Sequence, residues 1–297
     1  MPRIVVLGAG GRLGAALARE YASDHEVLAW GRKEADLTAP DSVAAQVRAA
    51  KPDVVINCAA MTNVDECETE REKARVVNAE APGAIARVCE QIDAKMIHIS
   101  TDYVFSGEKK EPYAEDDKAE PVSWYGETKL AGEEAVLAAG AGHVAVRVSW
   151  VFGPDRDSFV DKALQTAMRG EPVKAVADKW SSPAYTLDIA EALRSLIKPG
   201  VPGGIYHVCN AGICTWRDWG AEAIRAAADA GIMPTGTQVE ALRLNDIKAM
   251  VARRPVHSAM TCQRIERLVG KPMRPWQEAV ADYVRSRYAQ GGMAGKA

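Results

Sequence analysis

No cysteine pair in this 297-residue chain has C-x-x-C spacing, and no cysteine combines with a histidine at zinc-site spacing. The six cysteines, at 58, 67, 89, 209, 214 and 262, mostly sit in apolar runs, which fits reduced thiols in a cytoplasmic protein. No apolar stretch is long enough to cross a bilayer, and the N-terminus enters a strand without a charged leader, so neither a membrane span nor a signal peptide is expected. Charge of one sign is also lacking. A net charge of −3 and a pI near 6.0 give no electrostatic reason to expect nucleic acid or an anionic membrane as partner. There is no P-loop, no Ser-His-Asp arrangement and no metal-ligand cluster, so no metal is assigned. Internal repeats and low-complexity linkers are missing as well.

What is present alternates strands with helices. Short β-branched runs at 3–7, 25–30, 53–60, 95–100 and 143–151 are separated by helical patterns at 12–21, 40–50, 65–91 and from 124 onward. This rhythm calls for a doubly wound parallel sheet. After Gly153-Pro154 it changes: helix at 158–169, strand at 172–177, helix at 187–197, a further sheet strand at 204–209, then helices at 215–230 and 276–288. The expected division is a dinucleotide-binding domain of residues 1–153 plus about 183–212, and a smaller C-terminal substrate-binding lobe of about 154–182 plus 213–288. Residues 289–297 are expected to be a flexible tail.

Between the first strand and the first helix stands Gly8-Ala-Gly10-Gly11-Arg12-Leu13-Gly14. Glycines there allow a tight turn and close approach of backbone to a pyrophosphate, and the helix start supplies free N–H groups and a favourable dipole. The pattern differs from G-x-G-x-x-G because Leu13 occupies its last position. In this strand–turn–helix setting it points to a Rossmann-like dinucleotide site. Where sites for NAD place an acid after the second strand, this chain has Gly31-Arg32-Lys33. Arg32 suits a 2′-phosphate, so NADPH is the expected cofactor, with NADH allowed; Asp36 and Leu37 would then lie near the adenine.

The chemistry is expected between residues 100 and 132. Ser-Thr-Asp-Tyr-Val-Phe at 100–105 ends a buried strand, and Trp-Tyr-Gly-Glu-Thr-Lys-Leu at 124–130 opens a helix. Tyr125 and Lys129 are four apart and share one helical face. A hydride delivered to a ketone leaves an alkoxide that needs a proton, which a tyrosine can give. A nearby ammonium stabilises the phenolate, and Thr101 would hold the carbonyl oxygen.

These residues carry a resemblance. Asp53-Val-Val-Ile-Asn-Cys-Ala-Ala60, Thr62-Asn-Val-Asp65, Val77-Asn-Ala79, the two motifs above, Arg147-Val-Ser-Trp-Val-Phe-Gly153, Gly204-Ile-Tyr-His207, Thr215-Trp216 and Ala252-Arg-Arg-Pro255 are similar to the extended short-chain dehydrogenase/reductases, and among them to the dTDP-4-dehydrorhamnose reductases. The resemblance implies reduction of a nucleotide-linked 4-keto-6-deoxy sugar. It implies Thr101, Tyr125 and Lys129 as the catalytic set, Ala59, Ala60 and Thr62 along the cofactor, and Val64, Asp102, Tyr103 and Trp150 facing the sugar or nicotinamide. Asn78 is either a support for the lysine or a helix-surface residue.

Arg253 and Arg254 offer guanidinium forks for a diphosphate. Trp216 and Trp219 are expected to be packing, and His98 to be packed or hydrogen-bonded within its strand. Two segments depart from the resemblance: Asp178-Lys-Trp-Ser-Ser-Pro-Ala184 replaces Asp-Gln-x-Gly-x-Pro-Thr, and Ser158-Phe-Val replaces Asn-Phe-Val. Lys179 then either meets a pyrophosphate or is solvated. A different nucleotide sugar, or a non-catalytic subunit like the β subunit of methionine adenosyltransferase, are the alternative readings. A homodimer is compatible with the sequence and not read from it.

Overall fold

The computed structural model describes residues 1–288; the expected tail, 289–297, lies outside the described residues. A six-stranded, wholly parallel sheet forms the centre, in the order Gly204–His207, Val144–Val148, Lys95–Thr101, Val54–Asn57, Arg3–Leu7, Glu26–Trp30. The chain leaves Arg3–Leu7 toward one edge and returns on its other side at Val54–Asn57, which makes the gap beyond these two strands the switch point where such sheets bind ligands. The inner strands are mostly buried because both faces are covered, while the edge strand Glu26–Trp30 is only partly so. One core joins Ile4, Val6, Leu17, Ile97, Val146 and Leu193, and the other joins Val5, Leu7, Val47, Val55, Ile85 and Met96. Alternate residues of one strand therefore serve opposite layers.

A third core is built away from the sheet, from helices Phe159–Met168, Trp216–Asp229 and Trp276–Tyr288 around Phe152, Tyr185, Trp219 and Tyr283. Thr215 starts the middle helix with a capping box: its hydroxyl accepts from the Asp218 N–H at 3.1 Å, and the Asp218 carboxylate accepts from the Thr215 N–H at 3.1 Å. The expected second lobe is not closed on itself. Met260, Cys262, Ile265 and Met273 pack into the sheet's core, so the chain after residue 213 crosses back to the sheet before its last helix.

The helical pattern at 65–91 is several pieces, Val64–Thr69, Arg71–Arg75, a π turn over Val76–Glu80, and Ala81–Gln91. Pro82 has no N–H to offer the carbonyl of Asn78, four residues earlier, so the regular ladder is interrupted there. That carbonyl lies so close to Gly132 of the helix Trp124–Ala139 that any side chain at 132 would collide with it. The strand Val239–Leu242 and the helix Gln263–Val269 are additional to the sequence reading. All six cysteines are free thiols, and no described helix is long and apolar enough to cross a membrane.

Candidate active site

The carboxyl ends of Arg3–Leu7, Val54–Asn57, Lys95–Thr101 and Val144–Val148 open onto one cleft of about 1210 Å³, whose far side is formed by Phe159, Trp216 and Trp219. Of the residues nominated from sequence, Gly14, Asn78, Lys179, Arg253 and Arg254 lie off its walls.

At one end is the glycine turn. Gly8 has φ +76°, and a Cβ there would stand 2.7 Å from the Ala59 nitrogen, so two strand ends meet across a glycine-only gap. Helix Arg12–Tyr21 begins at Gly11 with no side chain capping it, which leaves its first N–H groups facing the cleft and suits a pyrophosphate. Gly14 has a different part from the one expected: a side chain there would strike the Gly8 carbonyl, so Gly14 seats the helix against the turn. The Arg12 side chain is also spoken for. It donates to the carbonyls of Val151 at 3.0 Å and Arg156 at 3.1 Å and to that of Asp157, so each of its three nitrogens already has a partner in the protein. Past Glu26–Trp30, Arg32 stands exposed on the cleft wall, while the nearby Glu34 carboxylate turns back to accept from the Gly31 N–H at 2.9 Å. Asp36 and Thr38 line the same stretch of the cleft.

The proton-transfer residues sit midway. Thr101 ends its strand, accepts from the Tyr103 N–H at 3.2 Å and donates to Asp102 Oδ1 at 3.1 Å. Ser123 caps the helix Trp124–Ala139, which turns Tyr125 and Lys129 inward; they are 8% and 1% exposed. Burial pushes the Tyr125 phenol above its usual pKa, against the neighbouring Thr101 hydroxyl, so the tyrosine rests protonated. Burial pulls the Lys129 ammonium down to about 8, while Glu133 and Cys58 oppose it. Lys129 Nζ donates to the Ile99 carbonyl at 2.7 Å and lies 3.1 Å from His98 Nε2. His98 is wholly buried, and its Nδ1 is 3.1 Å from the Asn57 amide nitrogen.

Asn78 is not hydrogen-bonded to the lysine, nor is it on a helix surface. It is buried, accepts from the Met61 N–H at 2.8 Å, and donates to the Met61 carbonyl and the Thr128 hydroxyl. The lysine's neighbour is His98, expected from sequence to be packed or hydrogen-bonded within its strand but not linked there to the lysine. The signal was there: Asn57 and His98 are polar residues at one register of two adjacent apolar strands.

At the other end, Tyr103 packs edge-on against Tyr125 at 5.5 Å, and Trp150, held at φ +40°, stacks on Trp219. Trp216 and Trp219 thus pack as expected and also line the cleft. Lys179 is neither solvated nor open to a pyrophosphate. It is 0% exposed, with its ammonium 5.2 Å from the Tyr103 ring centre and 5.5 Å from that of Trp150. Burial lowers its pKa to about 8, and Asp102 works the other way. Arg254, nominated for a diphosphate, instead pairs with Asp65 at 2.6 Å, which holds that carboxyl down at about 2. Arg253 points to solvent.

This geometry agrees with the comparisons. Residues 2–289 match the family described as RmlD substrate binding domain. The chain is 41% identical over 287 residues to the dTDP-4-dehydrorhamnose reductase of Mycolicibacterium smegmatis, covering 95% of this chain and 85% of that one. It is 37% identical to a probable dTDP-4,6-dihydroxy-2-methyloxan-3-one 4-ketoreductase of Streptomyces antibioticus, covering 94% of each. The crystal structure of Bacillus anthracis dTDP-4-dehydrorhamnose reductase in complex with NADP superposes with a TM-score of 0.88 at 30% identity, over 96% of this chain and 99% of that one. With the glycine turn, the Thr101/Tyr125/Lys129 grouping and a match spanning nearly its whole length, the chain belongs to the RmlD substrate binding domain family of extended short-chain dehydrogenase/reductases.

Proposed function

We propose that this protein reduces the C4 keto group of a nucleotide-linked 4-keto-6-deoxy sugar, dTDP-4-dehydrorhamnose to dTDP-L-rhamnose, in the cytoplasm. The observation that carries the reading is the meeting of Thr101, Tyr125 and Lys129 in one cleft with an uncapped helix start behind a glycine turn. NADPH, when bound, supplies the hydride; Gly8, Gly10, Gly11, the backbone of Arg12, Leu13, Ala59, Ala60 and Thr62 would hold it, with Arg32 at the 2′-phosphate and Asp36 and Leu37 by the adenine.

Tyr125 gives its proton to the carbonyl oxygen as that oxygen gains negative charge. A phenol kept protonated by burial is suited to this direction of reaction. The Thr101 hydrogen, resting on Asp102, turns to the same oxygen and holds it. Lys129 in its charged form stabilises the phenolate left behind. Val64, Asp102, Tyr103 and Trp150 border the sugar, and the aromatic wall of Phe159, Trp216 and Trp219 excludes water at that end. In domain terms we assign residues 1–153 and 183–212 to the cofactor, and 154–182 with most of 213–288 to the sugar.

NADPH oxidation dependent on dTDP-4-dehydrorhamnose tests the reading. A second reading keeps the chemistry and changes the sugar. It is favoured by Lys179, which backs Tyr103 and Trp150 where the resemblance has glutamine, and by the Streptomyces antibioticus relative, whose name gives another 4-keto substrate. A panel of dTDP-4-keto sugars separates the two by kcat/KM.

The cofactor assignment makes its own prediction. Replacing Arg32 by serine removes one charge-assisted contact, about 1.5–3 kcal/mol, so KM for NADPH rises roughly ten- to a hundredfold. KM for NADH stays within a factor of about three. Steady-state kinetics with both cofactors check it, and equal losses for the two would place Arg32 elsewhere than at the phosphate.

A further inference from the structure

A chain of hydrogen bonds runs from the cofactor cleft to Lys129, and its direction can be read from one fixed donor. The Ala59 N–H, a backbone group that can only donate, points at an Asn57 side-chain atom 3.0 Å away, so that atom is the amide oxygen. The Asn57 amide nitrogen therefore faces His98 Nδ1 at 3.1 Å and donates to it. A His98 ring that accepts at Nδ1 and is neutral carries its hydrogen on Nε2. That hydrogen is directed at Lys129 Nζ, 3.1 Å away. Asn57 and His98 are 0% exposed and off the cleft walls, so water is not available at Nδ1 to relieve a mismatch.

An ammonium has no lone pair to accept the Nε2–H, whereas an amine has one, and an amine keeps a hydrogen for the Ile99 carbonyl. We infer that His98 is a positioning residue that favours the amine form of Lys129 in the resting protein and ties its protonation to the Ala59 peptide of the cofactor cleft. For Lys129 to become charged without a donor facing a donor, His98 must move its hydrogen to Nδ1. The Asn57 amide must then turn over, which releases Ala59 N–H. The lysine's other charged or titratable neighbours are Glu133, itself paired with the Arg147 guanidinium at 2.7 Å, and Cys58, whose thiol burial pushes up to about 12, together with Tyr125 one turn earlier on the same helix. None of these is hydrogen-bonded to Lys129 Nζ, whose partners are His98 and the Ile99 carbonyl, so the part falls to His98. During reduction the lysine then gains its charge as the Tyr125 phenolate forms, when it is of use, and the proton taken up comes from solvent. This last consequence rests on the proposed reductase activity; the tautomer itself does not.

The test is nitrogen-15 NMR of the free protein labelled in its histidines, recorded on the alkaline side of the value of about 8 to which burial brings Lys129, with the His98 signals assigned by their loss in His98→Gln. The expected result is an unprotonated Nδ1 and a protonated Nε2. A protonated Nδ1, alone or with Nε2 protonated too, overturns the inference whatever the protein's substrate. Asn57→Asp supplies a second readout, because a carboxylate keeps the Ala59 contact but can only accept from His98. His98 should switch to the Nδ1–H form, and the alkaline limb of kcat should move up by about one pH unit or more. An unchanged limb with a uniformly lower kcat would reduce His98 to a packing residue.

Discussion

Tyr125→Phe should lower kcat by about 100- to 10,000-fold, the range for removal of a positioned general acid, while NADPH still binds with its original affinity. The substitution deletes one oxygen from a side chain that is 8% exposed and edge-packed on Tyr103, so the ring keeps its contacts and the helix Trp124–Ala139 keeps its cap at Ser123. The cofactor end of the cleft is built from other segments, the glycine turn and residues 58–62, and is untouched. Stopped-flow binding of NADPH alongside steady-state turnover separates the two effects. Residual turnover within about tenfold of the parent protein would remove Tyr125 as the proton donor.

Gly8→Val should fail at the other end. At φ +76° a β-branched residue is strained by about 1–3 kcal/mol, and its Cβ would in addition sit 2.7 Å from the Ala59 nitrogen. The turn has two ways to respond. If it stays, the whole penalty falls on stability, read as a lower urea midpoint at unchanged slope. If it moves, the cofactor must rebuild it, and the same 1–3 kcal/mol appears as a loss of about 5- to 150-fold in NADPH affinity. Displacing the Ala59 peptide also disturbs the Asn57 amide that leans on it, so kcat falls with the affinity. Isothermal titration and urea denaturation on the same sample measure both terms. A variant with parental stability and parental affinity would contradict the close approach of the two strand ends.

Both sites were legible in the sequence for a common reason. The glycine turn stands between a β-branched run and an amphipathic helix, and Tyr125 and Lys129 lie on one face by spacing alone, so local pattern is sufficient. The helix Trp276–Tyr288 was likewise readable from its periodicity. What escaped the sequence depends on partners far along the chain. An unbroken helical pattern through 65–91 conceals the π turn, because the interruption follows from one missing N–H at Pro82 and is compensated by packing against Gly132. Lys179 reads as a pyrophosphate contact or a solvated charge until the fold brings Tyr103 and Trp150 close to it. Arg254 reads as a free fork until Asp65 closes on it. Val239–Leu242 and Gln263–Val269 are too short for periodicity to stand out, and each is held by a neighbour, the strand Val173–Val176 in the first case and the sheet's core in the second.

The hydride's destination is the most direct test of the proposed chemistry. The protein is incubated with dTDP-4-dehydrorhamnose and NADPH carrying deuterium at both C4 positions of its nicotinamide, and the sugar product is examined by NMR. Reduction as proposed gives dTDP-rhamnose with deuterium at sugar C4, in an amount equal to the NADP⁺ formed. Unchanged NADPH, or deuterium at any other sugar carbon, would contradict it.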